Sequence, residues 1–372
     1  MRIDTEELRI FQDHVRRFVE QEIVPNHRTW ERDGAVPREL WLAAGKAGLL
    51  CTTVGEEYGG AGADYRAGAI VAHELARAGA EGPGFVIHSE MAVPYIEKHG
   101  TLEQKQLWLR KLVAGEAIAA VAMTEPSAGS DLRRIRTRAS RKGQGYVLNG
   151  QKVFISNGQL ADVMIVAAKT EGSERISLFL VDTSLPGFQR GKNLEKLGSH
   201  AQDTSEIFFD DVQLTEADLL GPVDGGLDLL KDGLVRERLT ICVGCQARAE
   251  SCLAMTVDYA RQRQMFGQNL MSFQNTRFKL ADVKADLMAG RALVDDILDR
   301  FLTGEVDIIE AAAAKLWTTE MLGRTADTCL QLHGGWGYMM DMAIGRAFVD
   351  ARAQRLAGGS SEMMREIVGR AL

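Results

Sequence analysis

Three hydroxyl-bearing residues lie close together in one segment of this sequence. Residues 122–131 read AMTEPSAGSD, with hydroxyl groups at Thr124, Ser127 and Ser130. The apolar run just before them, 117–121, predicts a buried strand, and the proline and glycine that follow break it into a loop. Hydroxyl groups and free loop amides suit an elongated polar ligand that carries carbonyl and hydroxyl groups. An ordinary exit from a strand is the simpler explanation of the loop when it is taken alone.

A second stretch places an aromatic ring beside a hydroxyl group. Asn149 and Gly150 predict a hairpin turn, and residues 152–158, KVFISNG, predict a strand after it. Because side chains alternate along a strand, Phe154 and Ser156 are expected on the same face. A flavin needs an apolar group that covers its ring and a hydrogen bond at its edge. Phe and Ser often share a strand face, so this pair alone is weak evidence.

Together, the two stretches resemble the flavin-binding segments of the acyl-CoA dehydrogenase family, and the resemblance runs nearly from end to end. It is closest to the long-chain branch. The matching motifs are GPGF at 82–85, IHS at 87–89, AMTEP at 122–126, VFISNG at 153–158, AQDTSE at 201–206 and QLHGGWGY at 331–338. The resemblance implies that the chain binds FAD and removes the α and β hydrogens of an acyl-CoA substrate. It also implies that the electrons pass to electron-transferring flavoprotein.

The general base of that reaction is a carboxylate that takes the α proton. Many family members carry it directly before a GTSE-like segment near the carboxyl end, where this chain has Gly358, which has no side chain. The isovaleryl and long-chain branches carry it instead at the start of a long bundle helix, and Glu237 matches that position. The residues alone allow another interpretation, in which Glu237 is a solvated glutamate in the first turn of a helix.

The resemblance implies further contacts residue by residue. The residues that match flavin contacts are Val121, Met123, Thr124, Ser130, Phe154, Ser156, Ser360 and Glu362. The residues that match substrate contacts are Ser130, Leu227, Arg238 and Gly358. The N–H of Gly358 would help to hold the thioester carbonyl. Other branches often have an aromatic residue in place of Val121 and tryptophan in place of Phe154, but both departures occur within the long-chain pattern.

A third set of matching residues lies far from Glu237 in the sequence. Its members are Arg263, Phe266, Gln274, Gln331 and Gly335. Glu237 and Arg263 are 26 residues apart, which corresponds to roughly 39 Å along an unbroken helix. The two residues can hardly serve one reaction centre. In the family, the residues that match Arg263, Phe266, Gln274 and Gln331 contact the FAD of a neighbouring subunit. The resemblance therefore implies a homotetramer. The glycines around Gly335 fit a close approach of the backbone to adenosine phosphates.

Hydrophobic periodicity predicts a multi-part α+β fold. Residues 1–116 predict an N-terminal α-helical domain, 117–222 a middle β-sandwich or β-barrel domain, and 223–372 a C-terminal four-helix-bundle-like domain. Within the first domain, Pro25 is expected to end the opening helix. Within the last, long helices are expected over 235–264, 273–302 and 306–332.

Composition and charge argue against several classes of protein. The chain has 372 residues and a net charge of −7, so no overall basic character favours nucleic acid. No apolar run approaches the roughly 20 residues that cross a membrane, and the start of the sequence lacks a signal or transit pattern. The bacterial cytoplasm is the expected location. Cys242 and Cys245 have metal-site spacing, but no second Cys or His pair follows, so we expect helix packing and no metal site.

Two other functions are open on the sequence alone. An oxygen-using oxidase or monooxygenase could have the same fold, and so could a catalytically silent flavoprotein with a role in assembly. Glu237 argues against the silent flavoprotein. Medium to long or branched acyl chains are expected, but the sequence does not fix chain length or branching. Nor does it decide whether coenzyme A or an acyl carrier protein bears the acyl group.

Overall fold

Six α-helices form the first part of the chain in the computed structural model, which describes residues 2–372. They are α1 (Glu6–Phe18), α2 (Val24–Asp33), α3 (Arg38–Lys46), α4 (Tyr65–Ala78), α5 (Val93–His99) and α6 (Leu102–Val113). Their apolar faces enclose a core that includes the fully buried Trp41, Ile70 and Leu109. This core extends onto the β part of the molecule, so the helices and the sheet are packed as one body.

Pro25 does not end the opening helix, contrary to the sequence prediction. A π-helical turn, Val19–Ile23, follows α1 and leads directly into α2, where Pro25 lies in the first turn. Proline has no N–H to donate, and the first turn of a helix does not need that donor. Pro94 is accommodated in the same way at the start of α5, after a second π-helical segment, Ile87–Ala92. The wider turn therefore lets the helical path continue through each proline.

The middle part of the chain is a mixed β-sheet. Its strands are β1 (Ala119–Ala122), β2 (Arg138–Lys142), β3 (Gly145–Ser156), β4 (Val163–Thr170), β5 (Ile176–Asp182), β6 (Phe188–Asn193), β7 (Thr204–Thr215) and β8 (Leu219–Leu220). The order is β6-β7-β3-β2-β4-β5-β8, and β1 also pairs with β4, in parallel. Strand β4 is therefore central, because it pairs with β1, β2 and β5.

Strand β4 is buried on both faces. Met164 and Val166 belong to the interior core of the β part, together with Ile207 of β7. Ile165 points the other way and belongs to the core shared with the N-terminal helices, which includes Ile70. Strand β1 lies beside β4, so the loop that follows β1 begins at the junction between the helical and β parts.

The predicted hairpin turn at Asn149 and Gly150 is wrong, because β3 runs through both residues. The turn lies earlier, at Gly143, between β2 and β3. At Asn149 the pairing of β3 with β7 is irregular. The Asn149 side-chain amide donates to Asp211 Oδ1 (2.9 Å), and its oxygen accepts from the Asp211 N–H (3.0 Å). The polar side chain that favours turns thus supplies hydrogen bonds at a β-bulge.

The last part of the chain is a helical bundle. Its helices are α7 (Gly226–Gln262), α8 (Gln274–Leu302), α9 (Ile308–His333), α10 (Ala343–Gln354) and α11 (Ser361–Gly369). A small hairpin of β9 (Gln264–Met265) and β10 (Gln268–Asn269) joins α7 to α8. Cys242 and Cys245 are buried in the bundle, as expected for helix packing.

The order of helical, β and helical parts confirms the predicted fold class. Helix α7 begins at Gly226, well before the predicted start at residue 235. None of the helices described in residues 2–372 combines the length and the apolar character that crossing a bilayer requires.

Candidate active site

The two stretches that stand out in the sequence lie side by side in the structure. Val153 N–H donates to the carbonyl oxygen of Thr124 (2.9 Å), and Lys152 Nζ donates to the carbonyl oxygen of Met123 (3.1 Å). Val121 and Met123 are half-buried against the N-terminal core, and Ser130 is exposed farther along the loop. The loop after β1 and the end of β3 therefore form one surface.

This surface is open and carries hydroxyl groups without partners. Phe154 is 67% exposed, and its φ of 61° is a strained conformation for a bulky residue. Ser156 is half-buried, and the buried Ile155 lies between it and Phe154. The half-buried hydroxyl groups of Thr124 and Ser156 make no hydrogen bond within residues 2–372. An exposed ring next to free hydroxyl groups fits a flat ligand with polar edges, as a flavin is.

Glu237 lies in the interior of α7, not at its start. The helix begins eleven residues earlier, at Gly226, so the interpretation of Glu237 as a solvated first-turn glutamate is wrong. Its side chain is half-buried, and its carboxylate forms no hydrogen bond or ion pair in the part of the chain that the structure describes. A β-carbon added at Gly358 would lie 3.3 Å from Glu237 Oε1 and 2.7 Å from Ile241 Cδ1. The glycine without a side chain thus borders the free carboxylate.

The surroundings of Glu237 favour its neutral form. Burial raises the pKa of the Glu237 carboxyl, although the positive charges of Arg238 and Lys315 act in the opposite direction. Tyr95 packs one helical turn away, because a β-carbon added at Gly233 would lie 2.1 Å from the Tyr95 hydroxyl oxygen. A carboxylate with a raised pKa and no partner is a stronger base than an exposed one, and such groups are concentrated at functional sites.

Gly358 lies in a turn between α10 and α11 that other side chains hold in place. Gly358 and Gly359 have φ values of 62° and 98°, a region that favours glycine. Arg238 Nε donates to the carbonyl oxygen of Gly358 (3.3 Å), and Lys315 Nζ donates to that of Gly359 (2.7 Å). The N–H of Gly358 has no hydrogen-bond partner within residues 2–372. Arg238 is buried, and its Nη1 is likewise without a partner there.

Three other residues that the sequence analysis assigned to flavin or substrate contacts are Ser360, Glu362 and Leu227. The first two follow Gly358 closely, and the third lies in α7, the helix that carries Glu237. Ser360 caps α11, where its Oγ accepts from the Met363 N–H (3.3 Å), and Glu362 is exposed in the first turn of that helix. Leu227 lies in the first turn of α7 and packs against the N-terminal core.

The π-helical segment Ile87–Ala92 contacts both β1, which leads into the loop with Thr124, and α7, which carries Glu237. His88 Nδ1 accepts from the Ala119 N–H at the start of β1 (2.9 Å), and burial lowers the pKa of His88 to about 4, so the ring is neutral. Two residues later, Glu90 is buried and pairs with Arg236 Nη2 (2.6 Å), directly before Glu237 in α7. One short segment therefore fixes β1 and the base-bearing turn of α7 relative to each other.

A second cluster lies at the opposite end of α7. Its residues are the exposed Arg263, Phe266, Gln274, Gln331 and Gly335. Tyr259 stacks on His333 with ring centroids 4.2 Å apart, so the ends of α7 and α9 meet. Helix α7 is continuous from Glu237 to Gln262. This agrees with the separation of roughly 39 Å between Glu237 and Arg263 that the sequence predicts. Within one chain, Arg263 therefore lies too far along α7 to contact Glu237.

Comparisons with known proteins decide the family. Three family models match consecutive parts of the chain: the acyl-CoA dehydrogenase N-terminal domain at residues 5–116, the middle domain at 120–212 and the C-terminal domain at 224–372. The chain belongs to the acyl-CoA dehydrogenase family. It is 44% identical to the mitochondrial long-chain specific acyl-CoA dehydrogenase of Rattus norvegicus, over 99% of this chain and 87% of the relative.

Solved structures of the family have the same fold. The acyl-CoA dehydrogenase of Geobacillus kaustophilus superposes with a TM-score of 0.97 at 41% identity, covering 100% of this chain and 99% of that one. An acyl-CoA dehydrogenase of Bacillus anthracis, solved in complex with FAD, superposes with a TM-score of 0.93 at 30% identity. That alignment covers 99% of this chain and 68% of the Bacillus chain.

One buried ion pair was not found by the sequence analysis. Lys152 Nζ lies 2.9 Å from Glu125 Oε1, and both side chains are buried. Glu125 also accepts from the N–H of Arg136 (2.6 Å) and from the N–H and hydroxyl of Thr137 (3.0 and 2.6 Å). The pair therefore fixes the peptide after Met123, behind the open surface. A lysine among the apolar residues in the second half of β3, with a glutamate in the loop after β1, is the signal that could have indicated it.

Proposed function

We propose that this protein is an FAD-dependent enzyme that converts an acyl-CoA thioester into its trans-2-enoyl-CoA, with Glu237 as the α-proton base. The observation that carries this proposal is a half-buried carboxylate without partners, bordered by Gly358. The reaction removes the α hydrogen as a proton and the β hydrogen as a hydride. FAD supplies the hydride acceptor when it is bound.

Glu237 would take the α proton. Its raised pKa increases its basicity, and the absence of any partner leaves its oxygens free for the substrate. The apolar side chain of Ile241 borders Gly358 on the same side as the carboxylate, and burial around Glu237 limits competition by water. The Gly358 N–H is free to donate to the thioester carbonyl, where negative charge develops as the proton leaves. Arg238 supports this role, because its Nε donates to the carbonyl oxygen of the same glycine and so fixes its peptide groups.

The open surface at the end of β1 and β3 suits the flavin ring. Phe154 would cover the ring, and the free hydroxyl groups of Thr124 and Ser156 would bond its edge. Ser360 and Glu362 would lie nearer the ribityl and adenosine parts.

The second cluster supports an assembly of several chains. Arg263 and Phe266 are exposed and too far from Glu237 to share its cofactor. We propose that these residues, with Gln274, Gln331 and Gly335, bind the FAD of a neighbouring subunit in a homotetramer.

The resemblance to long-chain enzymes supports medium to long or branched acyl groups as substrates. Electron-transferring flavoprotein would accept the electrons, and the bacterial cytoplasm is the proposed location. Each buried methylene contributes about 0.8 kcal/mol, so kcat/KM should rise from butyryl-CoA to at least octanoyl-CoA. A maximum at butyryl-CoA or isovaleryl-CoA would show that the long-chain assignment is wrong.

Anaerobic titration of the FAD-loaded protein with a series of acyl-CoA thioesters tests the proposal. The account predicts that octanoyl-CoA bleaches the flavin and that the reduced protein reoxidises slowly in air. Rapid reoxidation by oxygen would favour the oxidase or monooxygenase alternative. If no acyl-CoA bleached the flavin, the silent flavoprotein would be the better interpretation.

A further inference from the structure

One buried lysine lacks a carboxylate partner within residues 2–372. Three lysines of that part of the chain are buried: Lys152, Lys169 and Lys315. Lys152 pairs with Glu125 and Lys169 with Glu174, but Lys315 forms no ion pair in the part of the chain that the structure describes. A buried cation without a counter-ion is unfavourable, so the contacts that this lysine does make call for an explanation.

The ammonium group of Lys315 holds the turn that carries Gly358. Its one hydrogen bond within residues 2–372 runs from Nζ to the carbonyl oxygen of Gly359 (2.7 Å). Arg238 Nε donates to the preceding carbonyl, that of Gly358 (3.3 Å). Two cationic donors thus fix two successive carbonyl groups, and hydrogen bonds from charged donors are stronger than those between neutral groups. The peptide groups of the turn cannot rotate without breaking one of these bonds.

Helix α9, which carries Lys315, supports the same turn at a second point. Glu320 lies five residues after Lys315, and its Oε1 accepts from the Ser361 hydroxyl (2.7 Å). Glu320 Oε2 lies 2.8 Å from Arg355 Nη2, and the carbonyl oxygen of Arg355 accepts from the Ser361 N–H (3.0 Å). The chain is therefore fixed to α9 on both sides of Gly358.

This anchoring leaves the N–H groups of the turn free. The N–H groups of Gly358, Gly359 and Ser360 have no hydrogen-bond partner within residues 2–372. The proposed function assigns the Gly358 N–H to the thioester carbonyl. A donor stabilises developing charge best when its direction is fixed before the reaction begins. Lys315 contributes to that direction through Gly359.

The charge of Lys315 also acts on Glu237. Burial raises the pKa of the Glu237 carboxyl, and the positive charges of Arg238 and Lys315 act in the opposite direction. Burial lowers the pKa of the Lys315 ammonium, and the groups of α7 that act on it are Cys245, Cys242, Arg238 and Glu237. Burial raises the pKa of both thiols, so they are neutral near pH 7. Glu237 is therefore the anionic member of this group.

The two buried cations suit the movement of charge in the proposed proton transfer. As the α C–H bond breaks, its proton passes to Glu237, and its electron pair forms the double bond of an enolate whose charge lies on the thioester oxygen. The negative charge thus leaves the carboxylate and appears on the substrate, while Arg238 and Lys315 stay in place. Positive charges that are already fixed need no reorganisation at that moment, and they act more strongly where water is excluded.

We propose, building on the proposed function, that Lys315 is a positioning residue of the reaction. Through Gly359 it directs the Gly358 N–H toward the thioester carbonyl, and its charge stabilises the anion before and after the proton transfer. It takes no proton from the substrate. Its role thus differs from that of Lys152, which neutralises a buried carboxylate.

The first measurement is the infrared frequency of the thioester carbonyl, which falls when the carbonyl accepts a hydrogen bond. Octanoyl-CoA labelled with a heavy isotope at the carbonyl carbon is bound to FAD-loaded Glu237→Gln, which should not reduce the flavin. The frequency should be lower in Glu237→Gln than in Glu237→Gln/Lys315→Met, where the turn has lost one anchor. Glu237→Gln/Lys169→Met is the matched control, since it removes a buried lysine of β4, and it should leave the frequency unchanged. Equal frequencies with and without Lys315 would overturn the proposal.

The second measurement separates the reaction rate from stability in Lys315→Met, with Glu237 intact. Methionine is close to lysine in length, and removing a charge that has no counter-ion leaves no ion-pair partner behind, so the melting temperature should stay within a few degrees of that of the natural chain. Flavin reduction by octanoyl-CoA should nevertheless slow by roughly 10- to 100-fold, which is less than the loss of an oxyanion donor outright causes. A normal rate of reduction would overturn the proposal.

The pH dependence tests the charge by itself. The pH at which kcat/KM is half-maximal should move upward in Lys315→Met, because Glu237 loses a positive neighbour. Lys315→Gln keeps an N–H donor and removes the charge, so its pH profile should move in the same direction. Lys169→Met should keep the profile of the natural chain. An unchanged profile in Lys315→Gln would overturn the proposal even if Lys315→Met does not fold.

The infrared measurement also separates this proposal from the proposed function, because it requires a bound thioester and no flavin reduction. If no acyl-CoA reduced the flavin but the carbonyl frequency still depended on Lys315, the positioning role would be supported and only the reaction would be contradicted. If octanoyl-CoA reduced the flavin and the frequency did not depend on Lys315, the proposal would be overturned while the proposed function stood.

Discussion

Two glutamates of this protein are both withdrawn from water, but their surroundings differ. Glu125 accepts four hydrogen bonds, one of them from the buried Lys152. Burial alone would raise the pKa of the Glu125 carboxyl, but Lys152 and Thr137 outweigh it, and the pKa is lowered. Glu237 has no partner within residues 2–372, and burial raises its pKa.

Burial alone therefore does not identify a reactive carboxylate. Nor does burial without partners, which Glu81 and Glu97 share with Glu237. The position of Glu237 beside Gly358 distinguishes it from them.

The two glutamates therefore have different roles in the same site: Glu125 holds the structure together, and Glu237 is available for chemistry. Glu125 joins the loop after β1 to Lys152 of β3 and to the backbone of residues 136 and 137, and its oxygens already accept hydrogen bonds. Glu237 faces a glycine and an apolar side chain, and its oxygens are free for a ligand. We therefore expect substitution of Glu125 or Lys152 to affect mainly folding, and substitution of Glu237 to affect mainly the reaction.

The largest expected effect is that of Glu237→Gln on flavin reduction. Glutamine keeps the size of the side chain and removes its basicity. The rate of reduction by octanoyl-CoA should fall by more than the roughly 10²–10⁴ that is typical of an acid–base residue, because within residues 2–372 no second carboxylate lies within 4 Å of a β-carbon placed at Gly358. Anaerobic stopped-flow absorbance measures the rate, and FAD content and octanoyl-CoA affinity should stay close to those of the natural chain. A near-normal rate would remove Glu237 from the mechanism.

Lys152→Met should have the largest effect on stability. The substitution leaves the carboxylate of Glu125 buried without its cation, which should lower the free energy of unfolding by about 3–5 kcal/mol in urea denaturation. Lys169→Met is the matched control, because Lys169 is also buried in the sheet but its partner, Glu174, is exposed. The control should lose clearly less stability. Equal losses would contradict the structural role given to the Glu125–Lys152 pair.

Arg263→Ala should weaken FAD binding without touching either glutamate. A charge-assisted contact contributes on the order of 1.5–3 kcal/mol, which corresponds to a rise in the FAD dissociation constant of roughly 10- to 100-fold. Arg261→Ala, which removes an exposed neighbour that faces Asp258 (3.9 Å), is the control. Fluorescence measures FAD release, and light scattering measures assembly. Full FAD content together with an unchanged assembly would count against the shared-cofactor proposal.

The smallest expected effect is a gain in stability in Glu237→Gln. The folded-state pKa of Glu237 is raised, so its charged form is unfavourable in the folded protein, and the cost grows as the pH rises through that pKa. The melting temperature of the variant should equal that of the natural chain near pH 4 and exceed it by on the order of a few degrees at pH 7. A constant difference at every pH would show that the carboxylate is not desolvated.

Local sequence patterns correctly predicted the parts of the fold that follow from hydrophobic periodicity. They failed where contacts with neighbouring elements determine the local conformation. The helical and β parts follow from apolar spacing. Pro25 and Asn149 were misread, because a π-helical turn and a bond to Asp211 accommodate residues that usually break an element. Glu237 and Gly358 came from the family resemblance, since no spacing along the chain shows that residues 121 positions apart are in contact.

The most direct test of the central claim follows the α proton itself. An octanoyl-CoA analogue with sulfur in place of the β carbon has no β hydrogen to transfer, so it isolates the proton step. The FAD-loaded protein is incubated with this analogue in D2O, and mass spectrometry measures deuterium uptake at the α carbon. The natural chain and the exposed-site control Glu366→Gln should catalyse the exchange, while Glu237→Gln should bind the analogue and leave it unlabelled. Exchange by Glu237→Gln at the rate of the natural chain would contradict the assignment of Glu237 as the base.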